Sequence, residues 1–519
     1  MIKNPVLNGF HPDPSMICVD GTFYVANSTF EYFPGVCISS SKDLANWNSI
    51  PAPLNSIQML NMKGNPKSGG IWAPCLSYSE GLFYLVFTDV KTWTFSPFKD
   101  TPNYITTAKS IEGPWSEPVF VNCSGFDPSL FHDSDGRKYM VNMEWDYRKQ
   151  GDAQFTGILL TEIDSETLKP ISKPVKIFKG SDRGLVEGPH LYKIKEYYYL
   201  ITAEGGTSYE HAVTVARSKS IEGPYELHPN KHLVSSKGAV NSYIKKAGHG
   251  SLCEGPDGRW WTAFLCGRPI DESMRCPLGR ETSIAEVVWK DTWPYLKDFT
   301  MLPPENFTGY GEKLEKEEIE YSFNDNNFKN DFMSLRVPAQ YDLLKNGALR
   351  LYGKESLSSV HNQNILVRRQ TDFSFEAETC VLLPFDHFQK MAGLIYRYDE
   401  ENQYYFRIAY NEELEEKCLG ILSFNKNNFT MPLLDKEIPI GNGKIYLKLT
   451  VKNRFGEFSY AKEDLNWQVI PYKIDTSILS DEHADPMGFT GAFVGISSQD
   501  LENNSSYADF YYFKYKVLD

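Results

Sequence analysis

At 519 residues the chain exceeds what one ordinary hydrophobic core supports, so two or three domains are expected. Acidic residues outnumber basic ones by 67 to 53, and the net charge of −14 is spread along the chain, which speaks against nucleic acid or an anionic membrane as partner. No apolar run is long enough to span a bilayer.

The first elements in the chain repeat. HPDPSMICVDGTFYVANST from His11, WAPCLSYSEGLFYLVFTD from Trp72, FDPSLFHDSDGRKYMVNMEW from Phe126, VEGPHLYKIKEYYYLITAEG from Val186 and GHGSLCEGPDGRWWTAFLCG from Gly248 share one plan. Each opens on a short polar or acidic group, runs through an apolar strand and a tight turn, and ends in an aromatic-rich strand. Aligned on Asp13, Ala73, Asp127, Glu187 and His249, the spacings are 60, 54, 60 and 62 residues. A second phrase recurs between them: SKDLANW at Ser41, SIEGPW at Ser110 and SIEGPY at Ser220. Units of this length, built of short strands, match four-stranded propeller blades, so residues 1–304 are expected to form a five-bladed β-propeller. The first strand of each blade lines the axis. Its leading residue therefore points to one mouth, which would gather three carboxylates and a histidine in a single pocket.

Pro303, Pro304, Gly309, Gly311 and the charged run KLEKEEIE from Lys313 predict a linker over 305–320. From 321 to 519 the pattern stays β without repeating at blade length: GALRLYGKE, QYYFRIAYN, KIYLKLTVKN and ADFYYFKYKV are strands between polar turns, as in an antiparallel β-sandwich. The fold class is thus all-β throughout, with no long amphipathic helix.

Three acids facing one funnel suit glycoside hydrolysis with inversion. That chemistry needs a carboxylate to activate water and a carboxylic acid to protonate the leaving oxygen, roughly 6.5–9.5 Å apart. A nearby negative charge keeps the acid protonated near neutral pH. Asp13 is assigned as general base, Glu187 as general acid and Asp127 as the orienting partner that raises the acid's pKa. Alone, an Asp before Pro is most often a turn residue; the in-phase blade positions give these two their weight.

The motifs HPDPS at His11, GFDPSLFHD at Gly125 and VEGPHLY at Val186 resemble the three acidic motifs of glycoside hydrolase family 43. STFEYFPG at Ser28, KGNPKSGGIWAP at Lys63, AEGGTSYEH at Ala203, AGHGSL at Ala247, CPLGRET at Cys276 and GFTGAFVG at Gly488 extend the likeness, which is to the two-domain β-xylosidase branch with a C-terminal sandwich. The resemblance implies the same three acid roles. It also implies that Arg280 and Thr207 hold sugar hydroxyls, that His249 supports the site at the axis, and that Phe30, Trp72 and Trp145 are apolar walls. Phe489 would reach from the sandwich to close the pocket, which favours action at chain ends. A plain core role for His249, bonded to backbone, stays equally open. His11, where the family often has Asn, and Pro128, where a small residue is common, are departures.

The expected substrates are xylooligosaccharides or arabinoxylan fragments, cut as a β-xylosidase with α-L-arabinofuranosidase as a second activity. An arabinofuranosidase proper and a non-catalytic carbohydrate-binding propeller are the alternatives. MIKNPVLNGF lacks the apolar stretch of a secretory signal, and nine scattered cysteines form no CxxC pair, which predicts a cytoplasmic location with reduced thiols. No cofactor is required by any residue cluster, although the resemblance leaves room for an optional divalent cation. It further implies a homo-oligomer, dimer or tetramer.

Overall fold

The computed structural model describes residues 1–94, 96–314, 318–324, 326–426 and 428–518. Among them there are only strands and four single-turn 3-10 segments, as a sequence rich in β-branched and aromatic residues dictates.

The chain divides into two compact units, one of residues 1–268 and 280–314, the other of 269–279 and 315–519. The first unit holds five four-stranded antiparallel sheets, each made from one continuous stretch of chain. Their inner strands are Ser15–Val19, Gly70–Ser79, Ser129–His132, Glu187–Ile194 and Lys245–Glu254. Each inner strand packs on the next and the fifth packs on the first, which closes a ring. This is the five-bladed propeller. Apolar cores lie between neighbouring blades, for example Ala26, Ile38, Leu76 and Leu85 between the first and second, and Ile201, Val215, Leu252 and Phe264 between the fourth and fifth.

Closure uses the chain's beginning. Asn4 exchanges side-chain hydrogen bonds with the backbone of Ile284 at 2.8 and 3.0 Å, Val6 N–H donates to Thr282 O at 2.9 Å, and His11 N–H donates to Arg280 O at 2.8 Å. Pinning this strap against the fifth blade fixes the two residues that follow it, Pro12 and Asp13.

The expected linker is not free chain over its first part. Asn306–Phe307 pairs with Ile2–Lys3, and the Phe307 ring lies 5.8 Å from that of Trp261, so residues 305–314 are built into the first unit. An aromatic at 307 with a buried partner outweighs the turn-forming prolines and glycines around it. Residues 315–317 of that stretch lie outside the described residues. The range 1–304 is also interrupted. Residues 269–279, between the second and third strands of the fifth blade, belong to the second unit, where Cys276 N–H donates to Glu482 at 2.9 Å and Ala492 N–H to Pro277 O at 2.8 Å.

The second unit is a sandwich. One sheet orders Tyr341–Leu343, Leu349–Tyr352, Tyr507–Val517, Phe375–Leu382, Ile445–Lys452, Phe455–Ala461 and Gln468–Asp475, with Glu318–Tyr321 also on Tyr507–Val517. The other includes Glu416–Asn425, Asn402–Asn411, Lys390–Arg397, Phe493–Asp500 and Asn364–Arg369. In Ile445–Lys452 burial alternates residue by residue, the period-two signature of a strand with one face in a core. Phe375, Leu394, Phe406, Leu447, Phe458, Ile496 and Phe510 fill the space between the sheets.

Candidate active site

The backbone of the propeller explains why its strands begin where they do. Asp13, Ala73, Asp127, Gly188 and His249 all have positive φ, at 53°, 31°, 56°, 54° and 41°. In four of the five, proline follows (Pro14, Pro74, Pro128 and Pro189), and a following proline bars the right-handed helical conformation. Pairing register shifts across this position in blades two, four and five, a bulge that turns the strand entrance. The shared conformation corrects the sequence alignment in blade four. Gly188, not Glu187, is the structural equivalent of Asp13, so the spacings become 60, 54, 61 and 61 residues. Glu187 enters the site from one residue earlier.

Gly188 has no side chain for a reason. A Cβ there would lie 2.8 Å from His249 Cε1 and about as close to both ring nitrogens, so the imidazole of blade five occupies the place a blade-four side chain would take. Gly188→Ala therefore combines a left-handed φ with a ring clash. It is expected to lower stability by about 1–3 kcal/mol, read as a fall in Tm, and to lower kcat by displacing His249. An unchanged Tm would show that the ring yields freely.

Asp13 is held from three sides. Ser28 Oγ donates to its Oδ2 at 2.6 Å, Arg280 Nη1 lies 3.3 Å from Oδ1, and His249 Nδ1 is 3.7 Å from the same oxygen. The Ser28 oxygen also accepts the backbone N–H of Ala73 at 2.8 Å, which fixes its place and leaves its proton for Asp13. Arg280 Nη1 also donates to Thr207 Oγ1 at 2.7 Å, and its guanidinium sits 5.2 Å above the Phe30 ring. Asp127 Oδ2 accepts Gly188 N–H at 3.0 Å. Asp13, Asp127, His249 and Arg280 are all buried, and Glu187 is half-buried.

An aromatic run leads away from this cluster, with successive ring centroids at 5.8 Å for Phe10–Phe30, 6.0 Å for Phe30–Trp72, 5.2 Å for Trp72–Phe126 and 6.3 Å for Phe126–Trp145. Trp93 packs on Trp72 at 5.8 Å. Thus Asp13, Asp127, Glu187, His249, Arg280, Thr207, Phe30 and Trp72 come together, and Trp145 joins them through Phe126. Phe489 lies in the second unit, half-buried ahead of Thr490.

The sequence matches the family model described as glycosyl hydrolases family 43 over residues 2–294, and the beta xylosidase C-terminal concanavalin A-like domain over residues 320–516. The chain belongs to glycosyl hydrolase family 43. This family 43 enzyme is 44% identical to "Xylosidase/arabinosidase 43B" of Humicola insolens, covering 100% of this chain and 98% of that one, and 43% identical to the beta-xylosidase of Bacillus subtilis (strain 168), covering 99% of both. The crystal structure of xylan beta-1,4-xylosidase from Bacillus halodurans C-125 superposes with a TM-score of 0.96 at 46% identity, over 99% of this chain and 100% of that one. A non-catalytic propeller is thereby set aside; the family 43 enzyme is a glycoside hydrolase.

The acids of the family 43 enzyme interact as one group. Burial first, then the Asp13 charge, pushes the Glu187 carboxyl up to about 8, while Arg280 and Lys99 pull it down. Burial and the charges of Glu187 and Asp13 push Asp127 well above the ordinary carboxylate range, against the Gly188 N–H and Arg280. Three carboxyls crowded beside two cations do not all ionise together, so protons stay on the Glu187–Asp127 pair near neutral pH. Burial lowers His249, and lowers His211, packed on Gly248, to about 3, so both rings are neutral.

Ser28, Phe126, Trp93, His211 and Lys99 were missed in the sequence. Ser28 and His211 stand inside motifs already noted, STFEYFPG and AEGGTSYEH, but nothing in their spacing ties them to Asp13 or Gly248. Lys99 lies between the second and third strands of blade two, where its Nζ donates to Trp93 O at 3.1 Å and sits 4.3 Å from the Trp145 ring. Because the Lys99 charge lowers the Glu187 carboxyl, Lys99→Met is expected to raise Glu187 further. The alkaline limb of the pH–rate profile should then move to higher pH while the acidic limb stays; movement to lower pH would overturn this reading.

Among the described residues no group of three or more His, Cys, Asp or Glu side chains could hold a metal ion, and no helix is long and apolar enough to cross a membrane.

Proposed function

We propose that this enzyme is an exo-acting β-1,4-xylosidase that releases D-xylose from the non-reducing ends of xylooligosaccharides, with inversion. Asp13 acts as the general base, taking a proton from the attacking water while Ser28 and Arg280 hold it in place. Glu187 is the general acid that protonates the leaving oxygen, kept protonated by burial and the Asp13 charge rather than by Asp127. Asp127 orients the backbone beside it by accepting Gly188 N–H. Arg280, Thr207 and His249 meet the hydroxyls of the terminal sugar. Phe30 and Trp72 cover its apolar face, and Trp145 lies toward the leaving group.

One observation carries this reading: a carboxylate bonded to a fixed hydroxyl and a guanidinium shares a pocket with a second carboxyl that keeps its proton up to about pH 8. That is the unlike pair inversion needs. Relatives named for xylosidase and arabinosidase together support α-L-arabinofuranosidase as a second activity. Initial-rate hydrolysis of p-nitrophenyl β-D-xylopyranoside against the α-L-arabinofuranoside measures the two, with the xyloside expected to be faster. Proton NMR should show α-xylose appearing first and mutarotating to β; β-xylose first would overturn inversion. The reading further includes cytoplasmic residence, a dimer or tetramer, and activity that persists after EDTA treatment with a divalent cation acting only as an optional activator, each open to direct measurement.

A further inference from the structure

Beside the aromatic run, two rings stand out in solvent. Phe98 is 55% exposed and Tyr147 is 50% exposed, yet their centroids are 4.7 Å apart with planes inclined by 30°. They come from different blades. Phe98 sits between the second and third strands of blade two, and Tyr147 follows the second strand of blade three, two residues after Trp145.

Both carriers are pinned. Thr92 Oγ1 donates to Asp100 Oδ2 at 2.7 Å and accepts Asp100 N–H at 3.1 Å, closing the base of the first loop. Trp145 Nε1 donates to Pro97 O at 2.8 Å, one residue before Phe98, and Lys99, one residue after it, covers the Trp145 ring. On the second loop, Asp146 N–H donates to Gln154 O at 3.0 Å and Arg148 pairs with Asp146 at 2.8 Å. Two large rings left half in water on fixed supports cost hydration free energy that ordinary surface positions avoid.

We infer that Phe98 and Tyr147 form a stacking platform for a xylosyl unit of the substrate beyond the two sugars that flank the bond being cut. The occupant follows from continuity. The run of rings from Phe10 through Phe30, Trp72 and Phe126 reaches Trp145, and Trp145 bonds to Pro97, the residue before Phe98, so the platform adjoins the ring that the proposed function sets toward the leaving group. A pyranose ring offers an apolar C–H face that covers an aromatic ring and hydroxyl edges that stay in water, which suits a platform open on one side. The inference rests on the xylosidase reading, and on nothing in the catalytic cluster.

The test is kcat/KM of the full-length protein for xylobiose, xylotriose and xylotetraose, in wild type, Phe98→Ala, Tyr147→Ala and the double variant. Xylobiose is expected to change less than twofold. Xylotriose and xylotetraose are expected to fall about fivefold, through KM, in the double variant. Phe98→Tyr, which keeps a ring, should restore the longer substrates. Equal losses on all three substrates would mean that the loops act only through Trp145 and Lys99, and would overturn the platform; so would no loss on any. Failure of wild type to cleave xylobiose and xylotriose at all would instead sink the xylosidase reading.

Discussion

Asp13→Asn is expected to lower kcat about a thousandfold toward xylobiose and p-nitrophenyl xyloside alike. Activation of water by the base is independent of the leaving group, so both substrates lose the same factor. Asparagine fills the same volume and keeps an oxygen for the Ser28 hydroxyl at 2.6 Å. The amide beside Arg280 and His249 cannot take a proton from water, which isolates the chemical role from a packing role. Steady-state kinetics with a melting curve decide it: a variant that melts like wild type and retains more than a tenth of its kcat would remove Asp13 from the mechanism.

Glu187→Gln should separate the two substrates that Asp13→Asn treats equally. A xylose leaving group needs a proton and p-nitrophenolate does not, so xylobiose hydrolysis should fall about a thousandfold and nitrophenyl xyloside hydrolysis about tenfold or less. The alkaline limb near pH 8 should vanish with the carboxyl. The same substitution has a stability consequence of opposite sign. The Glu187 carboxyl is raised from 4.5 to about 8 in the folded protein, so the folded state holds a proton that the unfolded chain releases above pH 4.5. Its contribution to stability is full below that value and is lost as pH rises toward 8. Glutamine does not ionise, so the variant should be more stable than wild type by on the order of 4 kcal/mol at pH 8, with the gap closing toward pH 4.5. A Tm difference that does not depend on pH would place the proton elsewhere. Catalytic power and stability trade against each other at this side chain.

How much of the site was legible follows from what kind of signal each residue leaves. Asp13 and Asp127 sit at a repeating position before a proline, and repetition at blade length is visible without coordinates. Glu187 was found through the same repeat, although its true register is one residue off. An alignment by residue type favours acid over glycine, whereas the backbone pairs positions of like φ. Gly188 is the equivalent position because His249 needs its empty space, a relation between residues sixty-one apart that no local pattern carries. Lys99 is a further case. A lysine in a polar loop reads as surface, and only the rings of Trp93 and Trp145 around it place its charge near Glu187. The linker was misread over 305–314 for the same reason, since a pairing with the chain's second and third residues is invisible three hundred residues away.

By itself the sequence determined the architecture and the family: blade-length repeats, period-two strands and ordered acidic motifs are local patterns, and strand geometry reads them directly. It also determined the leading acids of blades one and three, Asp13 and Asp127. Only the tertiary structure decided how the three acids differ. Ser28 of the same blade and Arg280 of the neighbouring fifth blade hold Asp13, burial and the Asp13 charge lift Glu187, and Gly188 makes room for His249. Pocket electrostatics depend on distance and desolvation between chain segments far apart in sequence, and closure of the ring sets both.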